Sequence, residues 1–248
     1  MNNEKFKIEN PHDARELAKK FYSALYLRQS QHSPDKSRDE IRGAIMLQLR
    51  AGHVNPMRIW DIGSGAQWLE RELMARVTDE DGRKLLQDVD FITTDIADIQ
   101  KGALMGSRHR NIRHIQADVA EPRFPENSFG MVVSNLALDI APREALKNVA
   151  AALVPGGPFA ITLNHPDTLR EILAGEENEE LRAVVRYGLE QGFFYRSIEE
   201  IRTEFEKQGL TDISVKVRSA NNPFSLGVLD RWWSVKGSKT NRQAAVDE

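Results

Sequence analysis

From Met57 onward the chain alternates short apolar runs with stretches of helical periodicity, and this alternation restricts the fold more than any other feature of its 248 residues. Arg58 to Ile62, Val89 to Thr94, Ile112 to Ala117, Phe129 to Ser134 and Phe159 to Leu163 read as strands. Leu69, Leu73 and Val77 recur at helical spacing after the first run, and Pro142 to Leu153 has a helical pattern between the fourth and fifth. Parallel neighbours need crossover connections, so this rhythm predicts an α/β doubly wound sheet with helices on both faces. The fourth and fifth runs are nearly all apolar, as strands buried on both sides should be. Two later strands, Ile213 to Arg218 and Trp232 to Lys236, flank a loop containing Asn221-Asn222-Pro223. With no long helix between them, this last pair is expected to be antiparallel. Strand alternation sends one of Trp232 and Trp233 inward and the other outward, to a dimer contact or beneath the Asn221 loop.

The flanking segments read as helices. Asn10 caps a helix opening at Pro11, with Leu17, Phe21, Ala24 and Leu25 at helical spacing. Gln29 to Arg38, polar and containing Pro34, is expected to be a loop. A second helix carries Ile41, Ile45 and Leu49 and stops near Gly52. Asp167 to Glu190 reads as two helices with a polar break at Gly175, the glutamates near Glu176 forming a solvated face. Ser197-Ile198-Glu199-Glu200 is a capping box whose helix ends at Gly209. The polar tail from Gly237 to Glu248 is expected to fray.

Composition removes several classes of function. The absence of cysteine excludes disulfide frameworks, zinc ribbons, iron–sulfur clusters and thiol nucleophiles. A net charge of −3 disfavours a globally basic nucleic-acid binder. No segment approaches the roughly 18 to 20 consecutive apolar residues of a membrane span, and Met-Asn-Asn-Glu-Lys-Phe-Lys lacks the apolar stretch of a secretory signal. A soluble, cytoplasmic protein is the expectation.

Asp61-Ile62-Gly63-Ser64-Gly65 closes the first strand and opens a helix. In open α/β sheets, ligands bind beyond the carboxyl ends of the strands, where glycines let a ligand approach backbone N–H groups and a helix N-terminus favours an anion. A tight structural turn accounts for the same residues. Trp68 stands where a dinucleotide fingerprint wants its third glycine, no well-placed acid follows, and no Walker Gly-Lys-Ser/Thr is present. Further carboxylates sit at strand ends. Asp95 closes the second strand, where it can accept from the vicinal hydroxyls of a ribose, and Asp118 closes the third, within reach of an adenine amine.

These motifs resemble those of the S-adenosylmethionine-dependent methyltransferases with a seven-stranded Rossmann-like sheet. The glycine motif matches at Ile59 to Gly65, the acidic ribose position at Thr94-Asp95-Ile96, and the adenine-binding loop at Gln116-Ala117-Asp118-Val119 followed by Phe124 to Phe129. Ser134 to Leu138 and Leu153 to Gly157 resemble the segments flanking the fourth crossover helix. The resemblance covers Met57 to Asn164 well and continues more loosely to Lys236. It implies the strand order 3-2-1-4-5-7-6 and cofactor contacts at Asp61, Gly63, Ser64, Gly65, Gln67, Asp95, Ile96, Asp118, Val119 and Asn135. It also implies one domain: a helical N-terminal lid over 1–56, a cofactor-binding core over 57–164, substrate-side helices and the final strand pair over 165–236, and a tail over 237–248. Two positions depart from the family. Gln67 replaces a third glycine, and either narrows the space beside the methionine moiety or hydrogen-bonds to it. Gly130 replaces an aspartate, removing a polar group at the start of the fourth strand.

Methyl transfer from a sulfonium is an in-line displacement with a neutral leaving group, so it needs no metal and no acid for that group. The protein must align a nucleophile about 3 Å from the methyl carbon and exclude water. Asp139, at the mouth of the fourth strand, and His165, after the fifth, are candidates to orient or deprotonate a substrate. A helix cap at Pro142 and an exposed loop histidine are their plainer readings. Tyr22 and Tyr26, one turn apart, are candidates for one aromatic side of a substrate pocket, or for core. The absence of an Asn/Asp-Pro-Pro-Tyr/Phe box argues against nucleic acid as acceptor. The expectation is a small-molecule methyltransferase acting on oxygen, nitrogen or carbon, as a monomer or a homodimer. The alternatives are a cofactor-binding enzyme with non-methylating chemistry, such as cyclisation, and a degenerate binding protein. The missing cysteines exclude the radical chemistry of this cofactor, whose cluster needs cysteine ligands.

Overall fold

Seven strands form in the computed structural model: β1 (Arg58–Ile62), β2 (Asp90–Asp95), β3 (Ile112–Gln116), β4 (Met131–Asn135), β5 (Pro158–Asn164), β6 (Leu210–Asn221) and β7 (Leu229–Lys239). The structure describes Glu16 and residues 36–97, 109–175, 179–221 and 229–241. The strands join one sheet in the order β3-β2-β1-β4-β5-β7-β6. Pairing is parallel from β3 through β5, and β7 runs antiparallel to both β5 and β6. The order reverses between β1 and β4, which opens a crevice beyond their carboxyl ends.

Strand alternation feeds two cores. On one face Ile59, Phe91, Met131, Val133 and Ala160 pack under α1 (Lys36–Arg50), α2 (Trp68–Arg76) and α3 (Glu80–Asp88), which contribute Ile41, Ile45, Leu69, Leu73 and Leu86. On the other, Trp60, Ile92, Val132, Ile161 and Leu163 pack under α4 (Ala145–Ala152) and α7 (Ile198–Lys207) through Leu146, Val149, Ile201 and Phe205. Helices α5 (Pro166–Gly175) and α6 (Glu179–Glu190) form a small satellite core with Leu169, Val185 and Phe194. Half of the capping box forms: Ser197 Oγ accepts from Glu200 N at 3.1 Å, whereas Glu200 Oε2 accepts from Arg196 N, one residue before the N-cap, at 2.6 Å; Gly209 past the helix has φ 74°.

Several expectations need correction. Lys36 to Arg38 belong to α1 rather than to a loop, because Ser37 is buried against the sheet. Helix α1 is also a layer of the core: Ile41 and Ile45 are 1% and 0% exposed. Residues Gly237 to Lys239 continue β7 rather than fraying, since Lys239 exchanges backbone hydrogen bonds with Gly156 and Gly157. Phe129 makes only an isolated bridge to Leu153, and β4 starts at Met131. Helix α4 begins at Ala145, after a turn over Pro142 to Glu144. Helix α3, which sequence reading did not separate, is capped by Asp79 Oδ1 accepting from Gly82 N at 2.7 Å. Neither tryptophan faces solvent: Trp232 and Trp233 are 6% and 5% exposed, because both faces of β7 are covered.

The family departure at Gly130 has a packing cause. A Cβ there would lie 2.1 Å from Pro56 O and 2.7 Å from Asn55 N, so the turn entering β1 leaves no room for a side chain. The helix read from Asn10, the glutamates at 176 and 177, Tyr22, Tyr26 and the tail from 242 lie outside the described residues. No helix among the described residues is long and apolar enough to cross a membrane.

Candidate active site

The loop leaving β1 folds back on the sheet. Gly63 has φ 69°, and a Cβ there would sit 2.0 Å from Ala137 Cβ, so close approach to the segment after β4 requires glycine. Gly63 N and Ser64 N both donate to Thr94 O, at 2.8 and 3.0 Å. Gly65 N donates to Asp95 Oδ2 at 2.8 Å, and Gln67 N to Ser64 O at 3.0 Å. The expectation that these N–H groups face a ligand is therefore corrected: they are engaged by β2 and by the loop itself. Such a loop is no cradle for a phosphate, whose binding needs converging N–H groups.

Carboxylates line the crevice instead. Asp95 is 5% exposed, and its oxygens each accept one backbone N–H, from Gly65 and from Ala97 at 2.8 Å. Each oxygen keeps a second acceptor site. Burial raises the pKa of Asp95, and these hydrogen bonds oppose the rise. Half-buried Ile96 follows it, its carbonyl accepting from Gln116 Nε2 at 3.3 Å. Asp118 Oδ1 accepts from Ala120 N at 2.8 Å, and Asn148 Nδ2 holds this loop by donating to Val119 O and Ala120 O. Behind it Phe124 packs edge-on to Trp60, their centroids 5.0 Å apart.

Asn135 ends β4 with its side chain fixed from two sides. Its Oδ1 accepts from Ser37 Oγ at 2.6 Å and from Thr162 Oγ1 at 2.8 Å. Gln67 takes the left-handed conformation usual for glycine, with φ 59°. Its buried side chain turns toward the sheet, Nε2 donating to Thr93 Oγ1 at 3.0 Å. Asp61 lies under the loop, 2% exposed, against Glu70 in the first turn of α2. Burial, followed by the Glu70 charge, holds Asp61 well above the usual carboxylate range.

Residues 12–215 match the family model described as a methyltransferase domain. The chain belongs to that family. A malonyl-[acyl-carrier protein] O-methyltransferase of Halorhodospira halophila (strain DSM 244 / SL1) is 28% identical over 135 residues; the match spans 54% of this chain and 43% of that relative. The Burkholderia thailandensis 1,6-didemethyltoxoflavin-N1-methyltransferase, solved with 1,6-didemethyltoxoflavin and S-adenosylhomocysteine, superposes with a TM-score of 0.64 at 15% identity, covering 95% of this chain and 92% of that one. A Haemonchus contortus phosphoethanolamine N-methyltransferase 2, solved with phosphomonomethylethanolamine and S-adenosylhomocysteine, gives 0.58 at 14% identity, covering 95% of this chain and 62% of that one. At these identities the two structures share the fold.

The other half of the crevice is built around the ends of β4 and β5. Asp139, in the short 3-10 turn Leu138–Ile140, is 1% exposed. Its Oδ2 accepts from Asn164 N at 2.5 Å and its Oδ1 faces Asn164 Nδ2 at 3.3 Å, so it joins this turn to the end of β5. Burial raises its pKa to about 6. The helix-cap reading does not hold, for α4 starts after Glu144 without a side-chain cap. His165 packs on Trp233 with centroids 4.5 Å apart, and its Nδ1 accepts from Asp167 N at 3.2 Å. That places the proton of the neutral ring on Nε2. Burial lowers the pKa of His165, so the neutral form is favoured. Ser37, Glu70, Asn148, Thr162 and Asn164 were not singled out from the sequence. Nothing local marks them, since each matters through a partner on another element.

Proposed function

We propose that this methyltransferase takes its methyl group from S-adenosylmethionine and delivers it to oxygen, nitrogen or carbon of a small molecule. The observation that carries the reading is the Asp95 carboxylate at the end of β2. It is anchored by Gly65 and Ala97, and each oxygen has a second acceptor site for a ribose hydroxyl. The inward-turned amides fit the same ligand, because an adenosyl sulfonium has no phosphate to cradle. In this reading Asp118 and Val119 meet the adenine, Asp95 and Ile96 the ribose, and Gly63 to Gly65, Asp61 and Asn135 the amino-acid end. Gln67 supports the loop from below through Thr93. When bound, the cofactor supplies an activated methyl group. The chain's own contribution is to hold it in line with the acceptor and to keep water out.

Asp139 orients the acceptor side of the crevice through Asn164, and His165 offers an N–H donor rather than a base. Among the described residues no cluster of acidic or histidine side chains is placed to hold a metal ion, and none is required for this displacement. Tyr22 and Tyr26 remain candidates for the acceptor pocket. A small-molecule acceptor is supported by the substrates named for the two structural relatives. The reading includes a single domain working in the cytoplasm, alone or as a homodimer, without nucleic acid or membrane. The test is incubation with methyl-labelled S-adenosylmethionine and a panel of hydroxy, amino and active-methylene compounds. Label in an acceptor with S-adenosylhomocysteine formed is the expected result. Methylthioadenosine in its place would point to cyclisation, and no consumption with any acceptor to a binding protein.

A further inference from the structure

The least satisfied polar groups near the crevice lie beneath the glycine loop. Asp61, in β1, and Glu70, in α2, are 2% and 0% exposed, and their carboxyl groups face each other. No donor in hydrogen-bonding geometry reaches Asp61 Oδ2 or either Glu70 oxygen. Two carboxylates in contact and out of water repel each other; one proton between them removes the repulsion and gives one oxygen a donor. Burial holds both groups above the ordinary carboxylate range, Glu70 at about 7.

The surroundings do not neutralise a second negative charge. From α1, Arg38 acts on Asp61, but Arg38 also pairs with Glu72 at 3.2 Å, and Arg42 pairs with Glu72 as well. From β2, Asp95 adds a further negative charge. On β3, His114 reaches this region only through Thr93, which also receives Gln67, and burial keeps its ring toward the neutral form. The pair sits below the loop between Asp95 on β2 and Asn135 on β4, which is where the amino-acid end of the cofactor lies in the reading above.

We propose that Asp61 and Glu70 are a counter-charge for the α-ammonium of the cofactor, holding one shared proton in the free protein and releasing it to solvent when the ammonium binds. The inference rests on S-adenosylmethionine as the cofactor. The only bond broken is the O–H bond of the shared proton, and the ammonium replaces its positive charge.

Calorimetric titration of the wild-type protein with S-adenosylhomocysteine near pH 6.5, in buffers of different ionisation enthalpy, is expected to show close to one proton released per molecule bound. Affinity should rise about tenfold per pH unit below pH 7 and level off above it, as linkage to one released proton requires. 5′-Methylthioadenosine, which lacks the amino-acid end, should bind without proton release. Glu70→Gln should bind S-adenosylhomocysteine without proton release, more weakly than wild type at pH 8 and equally at low pH; a purely structural role would weaken it at both. Binding of S-adenosylhomocysteine with no proton exchange would overturn the coupling and leave the cofactor assignment standing. Proton release with 5′-methylthioadenosine would overturn the role of the ammonium. No binding of S-adenosylhomocysteine would overturn both the coupling and the cofactor assignment.

Discussion

The two halves of the crevice are built on different principles. On the β1–β2–β3 side, backbone N–H groups hold the polar groups in place. The loop after Asp61 donates to Thr94 at the end of β2, Asp95 accepts from Gly65 N and Ala97 N, and Asp118 accepts from Ala120 N. On the β4–β5–β7 side most of the donors are side chains, and two of these bonds tie α1 to the sheet. Ser37 on α1 and Thr162 on β5 donate to Asn135, Asn164 N donates to Asp139, and Ser234 on β7 donates to Glu40 of α1. A carboxylate held by backbone N–H groups keeps its place while the side chains around it change. A site tied by side-chain hydrogen bonds can be reshaped by changing any one of them.

The largest effect is expected at Gly130, which packing requires to be glycine. Gly130→Asp should destabilise the protein by about 3 kcal/mol or more, because its Cβ would overlap Pro56 O and Asn55 N. Thermal melts check this; an unchanged melting temperature would remove the packing explanation. Asp95→Ala tests the backbone-held half. Losing two hydrogen bonds to a charged acceptor should weaken S-adenosylhomocysteine binding about 100-fold, at about 1.5 kcal/mol per bond. Methyl transfer should fall with it.

Asp139→Asn tests the half around β4 and β5. The folded pKa of Asp139 is raised to about 6 from 3.8, so the native state binds the extra proton between those values. Its contribution to stability is full below about pH 4 and lost as pH rises through about 6, a span of order 3 kcal/mol. An amide at this position has no such titration, so the difference in melting temperature between variant and wild type should change from about pH 7.5 to about pH 4.5, with cofactor binding little affected. Ser37→Ala sharpens the boundary between the halves. Removing one hydrogen bond to Asn135 should cost about 1 kcal/mol, read as a several-fold loss of S-adenosylhomocysteine affinity against a smaller change in acceptor KM.

Legibility in the sequence follows the same division. The apolar runs of β1, β4 and β5 and the motif from Asp61 to Gly65 are local signals, and the strand order came with the resemblance they carry. The directions of the loop's N–H groups were not legible, because they depend on how Thr94 of the next strand sits beneath the loop. Glu70 neighbours the buried stripe of Leu69 and Leu73, and only the fold brings it against Asp61. The two tryptophans were misread for a related reason. Alternation gives opposite faces but not whether each is covered, and α1 takes part in covering the face that carries Ser234.

The proposed function requires the crevice beyond β1 and β2 to hold S-adenosylmethionine through Asp95. Titration of the folded wild-type protein with S-adenosylhomocysteine, beside Asp95→Ala, tests it most directly. Saturable binding of one molecule per chain, lost in the variant while its melting remains cooperative, is the predicted result. No binding to the wild type at millimolar ligand, or equal binding by both proteins, would contradict it.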